Sequence, residues 1–86
     1  MITVTQRNID DGEEKICSKC PVALAIQDYY GFPVFVTQDR VFHVNRSEHG
    51  DIIPGKTIGN LPYDVTEKII EFDKGFGMTP FSFELT

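Results

Sequence analysis

With 86 residues, 41% of them hydrophobic and 12% aromatic, the chain has the apolar content for a single compact domain spanning residues 1–86. A domain of this length buries only roughly 60–65% of the surface its unfolded form exposes, so its stability margin is thin. Eight basic residues against thirteen acidic ones give a formal charge of −5, which argues against direct binding to nucleic acid, where clustered lysine and arginine are needed. The longest apolar run, Pro21 to Ile26, is far short of the roughly 20 residues of a membrane span. No basic segment followed by an apolar one stands at the N-terminus, and a cytoplasmic chain is the expectation.

Ile2 and Val4 alternate with Thr3 and Thr5, the period-two pattern of a half-buried strand. Thr5 then caps a short helical turn over Gln6 to Asp11, with Ile9 turned inward and Gly12 as its stop. The next helix starts with Cys20 at the cap and Pro21 at the first helical position, where a missing N–H costs nothing, and Gly31 stands just past its end. Val22, Ala25, Ile26 and Tyr29 form its expected inward face, with Gln27 and Asp28 toward water.

Val34 to Thr37 and Val41 to Asn45 read as a β-hairpin across Gln38-Asp39-Arg40. Arg46 to Asn60 carries the turn signals His49-Gly50, Pro54-Gly55 and Gly59-Asn60, and reads as an ordered loop with room for one short strand. A second substantial helix begins at Pro62, with Val65, Ile69 and Phe72 as its apolar stripe and Gly75 as its end. Phe81, Phe83 and Leu85 alternate with Ser82 and Glu84 in a last strand. The order suits an α+β fold, with about four strands in one antiparallel or mixed sheet and both helices on one face, the βαββαβ arrangement of ferredoxin-like folds.

The two cysteines form Cys17-Ser18-Lys19-Cys20, and a thiol at a helix start is favoured as thiolate by the helix dipole and by a neighbouring lysine. Cys17 and Cys20 are therefore a candidate redox dithiol. The spacing and the helix start resemble thioredoxin and glutaredoxin, although no aromatic residue precedes Cys17 and the proline follows the second cysteine. Zinc is the alternative cofactor, with Cys17, Cys20, His43 and His49 as a complete set of four ligands at a spacing unlike the common zinc modules. The other expectation is no cofactor and no catalytic residue, because the carboxylates of Asp64, Glu67, Glu71 and Asp73 sit at the spacing of a solvated helix face and no triad or nucleophile signature is present.

Asp10, Asp11, Glu13 and Glu14 form the one dense charge cluster and suit a basic partner surface. Together with His49 and Asp51 in the long loop, and the aromatic anchors Tyr30 and Tyr63, they make up the candidate protein-binding set. Open edge strands favour a homodimer as well. Cys20-Pro21-Val22-Ala23-Leu24-Ala25-Ile26, Phe72-Asp73-Lys74-Gly75 and Pro80-Phe81-Ser82-Phe83 together resemble short uncharacterised proteins of bacteriophages and bacteria. The resemblance implies an origin and no activity. It points to a non-enzymatic accessory protein in the host cytoplasm that binds and modulates a host factor, such as a nucleic-acid-binding or defence protein blocked by an acidic mimic.

Overall fold

The computed structural model describes residues 1–16, 18–37 and 39–86. Strand β1 (Ile2–Val4) leads directly into helix α1 (Gln6–Asp11). The switch is made by Thr5, whose hydroxyl accepts from the Asn8 backbone N–H at 3.2 Å while the Asn8 side chain accepts from the Thr5 N–H at 2.9 Å. This reciprocal pair satisfies two donors that a helix start leaves without partners, with asparagine in the place usually held by Glu or Gln.

Helix α2 (Pro21–Tyr30) has Cys20 as its N-cap, Pro21 in its first turn and Gly31 in the left-handed conformation at its end, φ 80°, as the sequence predicts. Its buried face is Val22, Ala23, Ala25 and Ile26. Tyr29, expected on that face, is 56% exposed, because the last turn of α2 runs past the core and the ring packs edge-on against Tyr30 instead. Gln27, expected in water, is half-buried: its amide donates to the Ser18 carbonyl at 2.8 Å and the Val34 carbonyl at 3.4 Å, tying α2 to the chain on either side.

Strands β2 (Val34–Val36) and β3 (Arg40–Arg46) form the expected hairpin, paired Val34 to His43 and Val36 to Val41. The region read as a loop is largely strand. After a turn closed by Ser47 and Asp51, β4 (Ile52–Asn60) runs back along the whole of β3. Glycines and a proline hide it in the sequence, and register shifts on either side of Phe42 break the alternation that would reveal it. Helix α3 (Tyr63–Asp73) follows Pro62 and buries Val65, Ile69 and Phe72. Strand β5 (Phe81–Phe83) then pairs antiparallel with β1.

The fold is α+β, with the described strands in two antiparallel sheets, β1-β5 and β2-β3-β4. The expected single four-stranded sheet of ferredoxin-like order is replaced by this arrangement, in which β1 pairs with β5 alone among the described strands. A reciprocal pair of backbone hydrogen bonds between Asn60 and Thr86, 3.1 and 3.0 Å, joins the end of β4 to the C-terminal segment. Between the sheets and the helices lies one apolar cluster, with Val4, Val22, Ile26, Val34, Val41 and Val65 shut off from solvent. Among the described residues no helix is long and apolar enough to cross a membrane.

Candidate interaction groove

The far ends of β3 and β4 stand clear of the core. Val44 pairs with Pro54 and Arg46 with Ile52, so these four residues share one face of the hairpin. That face looks across a groove of about 1180 Å³ at α2, which contributes Leu24 and Asp28, and at α1, which contributes Arg7 and Asp11. Glu13 and Lys19 from the segment between the two helices also line it. Ile52 and Ile53 remain 48% and 39% exposed, Ile52 on the groove face and Ile53, opposite Asn45, on the other.

The acidic cluster is partly spent on its own neighbours. Asp11 lies 3.6 Å from Arg7 one helical turn away, Glu13 lies 3.6 Å from Lys19, and Asp10 accepts a hydrogen bond from Gln6 at 2.9 Å. All are exposed, and such pairs contribute little to stability. Glu14 is exposed in the turn that follows, where the Lys15 N–H donates to Asp73 at 2.9 Å and anchors the segment to the end of α3.

The candidate binding residues do not converge. Asp11 and Glu13 line the groove, whereas His49 belongs to the hairpin tip and Asp51 helps to close that turn, its N–H donating to the Ser47 hydroxyl at 3.1 Å. Tyr30 belongs to a row of rings, Tyr29-Tyr30-Phe32-His43, in which Phe32 and His43 stack with centroids 4.7 Å apart. Tyr63 stands at the start of α3, 78% exposed. Its phenol is held above the ordinary tyrosine pKa by the hydrogen bond to Glu67 first and by the charge of that carboxylate second. The residues that shape the groove, Leu24, Val44, Arg46 and Ile52, carry no local motif and come together only through the hairpin register.

Of the candidate dithiol, Cys17 lies outside the described residues. Cys20 is 3% exposed, and its Sγ accepts from the Ala23 N–H at 3.4 Å, the work of a helix cap. Replacing Cys20 by alanine is expected to lower the unfolding free energy by about 1 kcal/mol, read by urea denaturation, with the far-UV spectrum unchanged. A loss several times larger would assign the thiol a role beyond capping. Of the candidate zinc ligands, His43 sits in the ring stack on β3 and His49 in the tip turn. Among the described residues no three His, Cys, Asp or Glu side chains gather in a metal-holding group.

Comparison with protein-family models, with curated proteins and with solved structures gives no match.

Proposed function

We propose that this chain is a small, acidic, non-enzymatic interaction module that grips a partner protein with its groove and the exposed end of the β3–β4 hairpin. The observation that carries the reading is the placement of Ile52, aliphatic and half open to water, on the lip of this broad groove, with Ile53 exposed beside it on the other face of the strand. Apolar side chains framed by polar and charged ones are the usual make-up of a contact surface. The formal charge of −5 and the exposed carboxylates of Asp10 and Glu14 steer a basic-surfaced partner toward the module at long range. A phage-type accessory protein acting on a host nucleic-acid-binding or defence factor fits that charge, with the acidic face standing in for nucleic acid.

Self-association through a sheet edge is less well served. The outer edge of β4 carries Pro54, which has no N–H to offer, and Lys56, both common means of keeping an edge unpaired. This edge chemistry favours a different protein as the partner. The test is affinity capture from host lysate with the wild type, with the double variant Ile52→Asp/Ile53→Asp and with Tyr63→Ser. A host protein held by the wild type and by Tyr63→Ser should disappear with the hairpin variant, whose fold is checked by circular dichroism. Capture that survives the hairpin change moves the contact surface elsewhere on the molecule.

A further inference from the structure

We infer that the groove takes an extended peptide segment of the partner in which an aliphatic residue lies beside a carboxylate, the aliphatic side chain seated between Leu24 and the Val44/Ile52 face and the carboxylate on Arg46. The inference rests on the interaction reading above and names the chemistry of what is gripped. Its first ground is charge. Three cations line the groove, and two of them are already committed, Arg7 to Asp11 and Lys19 to Glu13. Arg46 has no carboxylate within 4.0 Å among the described residues. One nitrogen, Nη1, donates to the Gly50 carbonyl at 3.3 Å, which steadies the guanidinium and leaves most of its five donors unspent. Such a fork is built to take a carboxylate through two parallel hydrogen bonds.

No carboxylate of the groove is paired with it among the described residues. Asp11 and Glu13 are held by their own cations, while Asp28, which accepts from the neutral Asn8 amide at 2.9 Å, keeps its charge on the α2 wall, so Arg46 on the hairpin wall is the one lining cation among the described residues without a carboxylate partner. The repulsion from the net negative chain is screened over about 8 Å at physiological ionic strength, whereas contact with Arg46 is not. The second ground is shape. Val44 and Leu24 are half-buried and Ile52 half open, so an aliphatic side chain laid between them covers surface that is now wet. At about 1180 Å³ the groove exceeds the roughly 300–1,000 Å³ typical of sites that enclose a small molecule, and its two walls come from separate elements, as a channel for an extended chain requires. Beside Arg46, the exposed Asn45 side-chain oxygen already accepts from the Arg46 N–H at 3.0 Å, and its amide N–H groups, which donate to no partner among the described residues, are left for a peptide carbonyl.

The experiment is selection of a random peptide display library on the intact protein, followed by fluorescence anisotropy of the enriched peptides and amide chemical-shift mapping. The expected peptides pair Asp or Glu with Ile, Leu or Val, and shift the amides of Leu24, Val44 and Ile52. They bind Arg46→Gln roughly tenfold or more weakly and Tyr63→Ala equally well. Since Arg46 is exposed, the variant folds and its comparison is clean. Peptides that map to the groove yet bind Arg46→Gln as tightly as wild type overturn the carboxylate assignment and leave the interaction reading standing. Peptides that shift only amides around Tyr63 or Phe76 overturn both. A library with no binder overturns the inference, while hairpin-dependent capture of a host protein would still uphold the module. A concentration-dependent dimer mapped to the groove would give the site to a second copy and overturn the inference as well.

Discussion

Ile26→Ala is expected to remove about 3–4 kcal/mol of unfolding free energy, a large part of the roughly 4–13 kcal/mol that a domain of 86 residues holds. Ile26 is fully buried in the middle of α2, in the same cluster as Val4, Val34 and Val65, a cluster that draws on both sheets, α2 and α3. Truncation forfeits the transfer free energy of three carbons and leaves a cavity that a strand and two helices cannot all close at once. Tyr29, three residues on and expected on the same face, is the control. Its ring is half in water and touches mainly Tyr30, so Tyr29→Ala should change stability by no more than about 1 kcal/mol. Urea denaturation followed by circular dichroism checks both. Equal losses from the two variants would mean that α2 is rotated from the orientation described, and a loss below about 1 kcal/mol at Ile26 would mean that the core there is loosely packed.

The contrast between those two residues marks how far the sequence carries. Positions whose structure is decided within a few residues were legible: the Thr5 and Cys20 caps, Pro21 in the first turn, Gly31 at the left-handed end of α2, and the Val65, Ile69, Phe72 stripe of α3. Each answers to a local requirement for a donor, an acceptor or a backbone angle. Tyr29 and Gln27 obey helical periodicity, but what lies opposite them is set by where α2 stops relative to the sheets, which no local pattern records. Gly12 shows the same divide. It does end α1, yet its φ of −71° is open to any residue; a Cβ there would come within 2.6 Å of the Pro21 ring and 2.9 Å of its backbone nitrogen. The glycine is required by a close approach to a residue nine positions away.

The groove was the least legible part for the same reason. Its walls draw on residues from Arg7 to Ile52, and the strand that carries Ile52 was hidden by Pro54 and Gly55, which signal turns when read alone. Once Val44 and Arg46 pair with Pro54 and Ile52, the facing residues follow from the period of two. The charge cluster drew attention because it is contiguous in sequence, but its side chains are partly satisfied by Arg7, Gln6 and Lys19, which helical spacing and a short turn bring back to them. Arg46 carries a single charge with no cluster around it. Its significance lies in what the neighbouring cations have already spent.

Asn8→Ala is the second large effect, an expected loss of about 2–3 kcal/mol from one polar side chain. Asn8 is 5% exposed and every one of its groups is used. The side-chain oxygen accepts from the Thr5 N–H at 2.9 Å and from the Thr5 hydroxyl at 3.0 Å, and the amide nitrogen donates to the Asp28 carboxylate at 2.9 Å. Removing it strips a donor at the start of α1 of its partner and breaks the polar link that ties α1 to α2 across twenty residues. A double-mutant cycle with Asp28→Ala should return a coupling of about 1–2 kcal/mol. Asn8→Asp separates the two halves of the role, since it keeps the acceptor and replaces the donor by a second carboxylate against Asp28. Like charges at hydrogen-bond distance raise the pKa of one of the pair in the folded state, so the penalty of this variant is full at neutral pH and is relieved as pH falls toward about 4–5, where a shared proton restores the missing donor. The difference in stability between wild type and Asn8→Asp, measured across that range, should therefore narrow on acidification. A constant difference, or a coupling near zero, would break the link between α1 and α2 and with it the rigidity of one wall of the groove.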